Sequence, residues 1–136
     1  MKNITYDHTV RVYYEDTDAG GLVYHSNYLN FCERARTEWL RALGINQSTF
    51  LSENLAFVVK KVEMNFIMSA KLDDLLNVKS EVVELKRASL IFEQTITNQH
   101  NQLIYVASVV IASINLLRAK PCAIPESILG AFKRVS

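Results

Sequence analysis

Between Tyr14 and Asn27 the sequence YEDTDAGGLVYHSN gathers the groups that could do chemistry. Asp16 and Asp18 are carboxylates two residues apart, Gly20 and Gly21 are adjacent, and His25 stands just ahead of a long helical pattern. The first N–H groups of a helix lack partners, and the aligned peptide dipoles leave about half a positive charge there. That end favours an oxygen that gains negative charge during a reaction. A carboxylate on a loop returning to such a helix start suits attack on an acyl carbon. Two glycines in a row let a substrate or a backbone come close. Each of these residues also has a plainer reading. Asp and Gly are ordinary turn residues, and a lone His near a helix start is commonly a polar packing residue. Tyr14 and Tyr24 could be core or rim aromatics, although a phenol at the end of a strand could orient a carboxylate. The Asp16-Thr17-Asp18 spacing also fits the paired acids of metal-dependent phosphoryl transfer. That chemistry needs further distal acids, and usually a parallel α/β sheet, and neither is evident. The sequence has no Gly-rich phosphate loop, zinc-ligand spacing or serine nucleophile elbow.

The elements that must position these residues are legible from periodicity. Val10 to Tyr14 is rich in β-branched and aromatic residues and reads as a strand. A long helix then starts near Asn27, read as its N-cap. Tyr28, Phe31, Cys32, Ala35, Trp39 and Leu43 form one apolar stripe along it, and Gly44 stops it. Glu33 and Glu38 lie beside arginines and read as solvated or salt-bridged. Asn46 caps a short second helix through Gln47 to Glu53, with Phe50 and Leu51 turned inward. Alternation then marks strands over Ala56 to Phe66, Leu76 to Leu85 and Leu90 to Thr97. The stretch IMSAKLDD between the first two reads as a loop, with Asp73 and Asp74 as turn acids. Leu103 to Leu117 is almost continuously apolar, as in a strand covered on both faces. Pro121 and Pro125 break the tail, and Glu126 to Lys133 reads as a terminal helical turn or two. Short connections predict antiparallel neighbours, and one helix on a twisted antiparallel sheet is an α+β layer architecture. The apolar outer sheet face then predicts a homodimer packed face to face.

Length and composition bound the rest. With 136 residues the chain is read as one domain, and its 49% hydrophobic content is high for a small one. A net charge of +1 offers no electrostatic footprint for nucleic acid or an anionic membrane. The start MKNITYDHTV lacks the apolar core of a signal peptide, and no apolar run reaches membrane-spanning length. Cys32 and Cys122 form no metal-spaced pair and read as reduced thiols. A cytoplasmic protein is expected.

The stretch YYEDTDAGGLVYHSNYLNFCERARTEWLR resembles the signature of the 4-hydroxybenzoyl-CoA thioesterase branch of the hotdog fold. Within that branch it most resembles the YbgC-type acyl-CoA thioesterases associated with the Tol–Pal system. The tail RAKPCAIPESI is similar to theirs too, so the resemblance covers nearly the whole chain, 1–136. Leu22 and Cys32 depart from the expected Val and aromatic residue. The resemblance implies a hotdog fold, one long helix wrapped by an antiparallel sheet of about five strands. It implies dimers joined edge to edge, often as dimers of dimers, in place of the face-to-face pairing expected from composition. It also implies hydrolysis of a short- to medium-chain acyl-CoA, with no metal or cofactor beyond the coenzyme A of the substrate. The catalytic carboxylate then falls on Asp18, with Tyr14 and His25 as its companions. Gly20, Gly21 and Tyr24 fall on the substrate side, and polarising N–H groups fall near Tyr24, His25 and the helix start. Val58, Val59 and Lys60 would line the pantetheine channel from the partner subunit. Arg87 and Ser89, with Lys86, would meet the nucleotide phosphates. An acyl carrier protein or a Tol–Pal-linked protein could be a further partner.

Two rivals remain open on the sequence. A hotdog dehydratase acting on 3-hydroxyacyl thioesters wants a loop His and a helix acid, which His25 and Glu33 could imitate. Ser-Asn follows His25, however, where that chemistry expects Phe-Pro. The other rival is a non-catalytic acyl-thioester binder or cell-envelope adaptor, against which an intact Asp18 argues.

Overall fold

The computed structural model describes residues 4–134. Strand β1 is Thr5–Arg11, followed by a 3-10 turn at Tyr14–Asp16 and helix α1 at Asn27–Ala42. Helix α2 is Gln47–Ser52, and strands β2 (Leu55–Phe66), β3 (Leu75–Leu85), β4 (Ser89–Thr97) and β5 (Leu103–Asn115) follow. A two-residue strand β6 (Lys120–Pro121) and helix α3 (Glu126–Arg134) close the chain. The sheet order is β1-β3-β4-β5-β2, with every pairing antiparallel and β6 on β5.

The first strand lies earlier than the sequence places it, ending at Arg11 instead of running to Tyr14. Beyond it Val12 pairs with the 73–74 segment, and the Asp16 carboxylate accepts the Tyr13 N–H at 2.8 Å. That local capping bond curls Tyr14 into a 3-10 turn despite its β propensity. The expectation that short connections join neighbours fails once. β2 pairs with β5, at the far edge from β3. The 67–74 connection makes no hairpin, because its backbone bonds go to the loop ahead of α1, as in Leu72 N–H to Gly21 O.

The α1 stripe is buried from Tyr28 to Trp39, with Phe31, Cys32 and Ala35 fully covered and Leu40 added to the set, while Leu43, at the C-cap, is half-buried against the core. Trp39 stacks on Tyr6 and meets Phe92 and Phe132 edge-on, at centroid distances of 5.2 to 6.1 Å. Burial pushes the Cys32 thiol up to about 12, so it packs as a protonated, small apolar group. Asn46 does cap α2, accepting the Ser48 N–H at 3.0 Å. Of the two residues expected inward there, Phe50 packs on the core and Leu51 is exposed, since consecutive helical positions do not share a face. β5 stops at Asn115, and only one of its faces is fully buried. Tyr105, Ala107 and Val109 face the helix, while Val106, Ser108 and Val110 are half-buried.

One polar chain crosses this core. Gln94, fully buried on β4, donates to the Cys32 carbonyl and to Ser80 Oγ, both at 2.9 Å. Its Oε1 accepts from the Arg36 guanidinium at 2.7 Å. No buried side-chain polar atom is left unpaired among the described residues, as a native core requires.

Candidate active site

The loop ahead of α1 folds as a small hairpin. Asp18 N–H donates to Leu22 O, Thr17 bridges Val23, and Tyr24 N–H donates to Asp16 O at 3.0 Å. Gly21 at the tip has φ +75°, a left-handed conformation that favours glycine. The hairpin is braced from below. Val23 N–H donates to Ala70 O, and Ala70 N–H donates to the Tyr28 hydroxyl at 3.0 Å. Tyr28 is buried against Tyr105, and that burial raises its phenol above the ordinary range. The residues 67–72 that supply this brace read only as a loop in the sequence. The available signal is Asp74, a buried acid whose carboxylate accepts the Lys71 N–H and closes the turn.

The two acids of the motif have different surroundings. Asp16 is buried, accepting the Tyr13 N–H and, at 2.9 Å, the Asn27 Nδ2. The expectation that Asn27 caps α1 is therefore corrected: Ser26 occupies that position without a side-chain bond, and Asn27 ties the helix to the loop. Asp18 is exposed. Its Oδ1 accepts the N–H groups of Gly20 at 2.9 Å and Leu22 at 3.3 Å, which leaves Oδ2 without a protein partner among the described residues.

At the helix entrance the Tyr24 N–H is taken by Asp16, whereas the N–H groups of His25 and Ser26 meet no acceptor among the described residues. These two N–H groups can serve a ligand oxygen. The His25 ring packs on Tyr24 at 4.5 Å, and both side chains are exposed. Tyr14 is 83% exposed, and no hydrogen bond links the side chains of Tyr14, Asp18 and His25.

The other expected substrate residues lie away from this loop. Val58, Val59 and Lys60 sit mid-way along β2, at the sheet edge, where a register shift between Val59 and Lys61 leaves Lys60 unpaired. Arg87 and Ser89 flank the β3–β4 turn. β3 begins beside Arg11, near the loop, and ends at Leu85 opposite Leu90. The loop and the β3–β4 turn therefore lie at opposite ends of this 11-residue strand.

Among the described residues no three His, Cys, Asp or Glu side chains gather as a metal-binding group. No helix among them is long and apolar enough to cross a membrane.

A family model described as the thioesterase-like superfamily matches residues 12–132. The chain is 51% identical over 124 residues to an acyl-CoA thioesterase YbgC from Haemophilus influenzae, covering 90% of each. It is 46% identical over 125 residues to the acyl-CoA thioester hydrolase YbgC of Escherichia coli O6:H1, covering 92% of this chain and 93% of that one. In fold it is similar to a 1,4-dihydroxy-2-naphthoyl-CoA thioesterase from Synechocystis, with a TM-score of 0.90 at 23% identity, covering 95% and 96% of the two chains.

Proposed function

The chain belongs to the thioesterase-like superfamily and has its hotdog fold, and from that premise we propose that it is a single-domain acyl-CoA thioesterase. The reaction converts an acyl-CoA, of short to medium aliphatic chain, to a carboxylic acid and free CoA. The observation that carries this reading is a pairing of groups. An exposed carboxylate, Asp18, has one free oxygen, and the nearby helix entrance offers the unclaimed N–H groups of His25 and Ser26.

In this reading those N–H groups receive the thioester oxygen as it gains charge, where losing one donor typically costs about 10²–10³ in rate. Gly20 and Leu22 hold Asp18 Oδ1, so Oδ2 faces the carbonyl carbon or a water. On the general-base route Asp18 takes a proton from water as the water oxygen bonds to the acyl carbon. The tetrahedral intermediate then expels the CoA thiolate, which receives that proton. On the covalent route Asp18 Oδ2 bonds to the acyl carbon, the C–S bond breaks, and water hydrolyses the mixed anhydride. Tyr14 and His25 complete the catalytic set by resemblance, and Gly20, Gly21 and Tyr24 border the substrate. Thiol release from a panel of acyl-CoAs tests the reading. An active, saturable release is expected, and a folded protein that binds acyl-CoA without turning it over would make it a binder or an adaptor instead.

The site is shared between chains in this reading. β2 ends the sheet with an open edge, and along it Val59 and Phe66 are each about half exposed. Open edges of this kind invite pairing with another strand. Pairing β2 with the same strand of a second copy would bring the partner's 58–60 segment, and the partner's β3–β4 turn with Lys86, Arg87 and Ser89, toward Asp18. Light scattering of an active preparation should give a dimeric or tetrameric mass. A monomer at full activity would overturn the shared site.

A further inference from the structure

A shelf formed by the 67–74 segment carries the Asp18 hairpin. Its outer side holds the hairpin at three places. Ala70 O accepts the Val23 N–H at 2.9 Å, the Leu72 N–H donates to Gly21 O at 3.0 Å, and Lys71 pairs with Leu22 as an isolated bridge. Two side chains hold the shelf from within. The Asp74 carboxylate accepts the Lys71 N–H, and Gln99, between β4 and β5, donates to that carboxylate at 3.0 Å. At Ala70, which is fully buried, the acceptor is the Tyr28 hydroxyl.

Tyr28 lies in the first turn of α1, two residues after Ser26. Its ring stacks on Tyr105 at a centroid distance of 5.0 Å and meets Phe31 and Phe66 edge-on. Three packed rings leave the hydroxyl little freedom to move. This one side chain is therefore fixed to the helix entrance that offers the His25 and Ser26 N–H groups. Through Ala70 and Val23 it also holds the hairpin strand beside Asp18. Leu22 completes the connection, since its carbonyl accepts the Asp18 N–H and its own N–H donates to Asp18 Oδ1.

We infer that Tyr28 is a positioning residue for the reaction: acting through Ala70, Val23 and Leu22, its hydroxyl sets the separation between the Asp18 carboxylate and the helix-entrance N–H groups. The inference rests on the thioesterase reading and deepens it. Both groups must meet one acyl carbonyl at the same time, and a displacement of about 1 Å that originates away from the chemistry can cost about 10² in rate. Phenylalanine at position 28 keeps the ring in the stack and removes only the acceptor. The buried Ala70 N–H is then stranded, and a shifted shelf that finds it another partner is favoured.

The test uses the acyl-CoA that the wild-type protein turns over fastest. Tyr28→Phe should lower kcat per folded molecule by about 10- to 10²-fold, with KM near the wild-type value. Tyr105→Phe is the control, because it removes a hydroxyl from the same ring stack that bonds to Met64 Sδ and not to the shelf; its kcat should stay near wild type. In an Asp18→Asn background Tyr28→Phe should cost far less, since residues that act as a unit are not additive. The amide hydrogens of Val23 and Ala70 should also exchange faster in Tyr28→Phe than in wild type. An unchanged kcat in folded Tyr28→Phe, equal losses in the two Tyr→Phe proteins, or the same loss with and without Asp18 would each overturn the positioning role and leave the thioesterase reading standing. Should Tyr28→Phe fail to fold, amide exchange in the wild type decides: Val23 and Ala70 should share one level of protection, and unrelated levels overturn the relay. No hydrolysis of any acyl-CoA by the wild type overturns the thioesterase reading, and the positioning role with it.

Discussion

Replacing Asp18 by asparagine is expected to lower CoA thiol release by about 10²–10⁴ or more, with the fold retained. The amide oxygen of Asn keeps the shape that accepts the Gly20 and Leu22 N–H groups, so the hairpin tip need not change. Asparagine cannot form a mixed anhydride and is a very poor base, so both routes stop. Asp16→Asn is the internal control, and the surroundings of Asp16 set what it should do. Asp16 is no salt-bridged surface acid; it is buried and accepts from Tyr13 N–H and Asn27 Nδ2. An amide there turns an NH₂ group toward one of two donors, which should cost about 1–3 kcal/mol of stability. Turnover per folded molecule should change far less than in Asp18→Asn. Thiol release at saturating substrate, with circular dichroism and urea midpoints on the same preparations, separates the two. Activity of Asp18→Asn within a few-fold of wild type would exclude the mechanism.

Trp39→Ala should cost about 3–5 kcal/mol, the range for removing a packed aromatic side chain from a core. Trp39 is 3% exposed and touches three other rings, one each from β1, β4 and α3. No single element can move to refill the space without leaving the other two. Arg41 provides the contrast two positions later. It is exposed and pairs with Glu38 on the same helix, and such surface pairs contribute about 0.5 kcal/mol or less. Urea denaturation should therefore give Trp39→Ala a much lower midpoint and Arg41→Ala one near wild type. Comparable midpoints would mean that the ring cluster is not the keystone of the helix–sheet contact.

What the sequence determined by itself is what depends on local period and residue type. The three- and four-residue spacing of Tyr28, Phe31, Cys32, Ala35 and Trp39 specified both the helix and its buried face, because side chains at those steps share one side of it. Gly44 and Asn46 marked the helix boundaries through conformations available to them at low cost. Alternation located β2, β3 and β4 to within a residue at either end. The helix-entry motif carried the family, since its residues are consecutive and need no folding to be recognised.

The tertiary structure alone decided whatever depends on contacts between distant segments. Asp16 and Asp18 are chemically alike in the sequence, yet Asn27, 11 residues on, claims one and leaves the other exposed. Asn27 could equally have capped the helix, since its side chain has the same donors and acceptor in either role; the position of the Asp16 carboxylate selected between them. Strand order was likewise out of reach. β2 lies beside β5 while the 67–74 segment bonds to the loop ahead of α1, a choice that no periodicity within β2 encodes. Gln94 interrupts an apolar alternation and reads as a lone polar residue until Arg36, Cys32 and Ser80 are brought to it from α1 and β3. Period and composition act over a few residues along the chain. The partners of a buried polar group are set by which elements the fold packs together, and a single sequence does not display that directly.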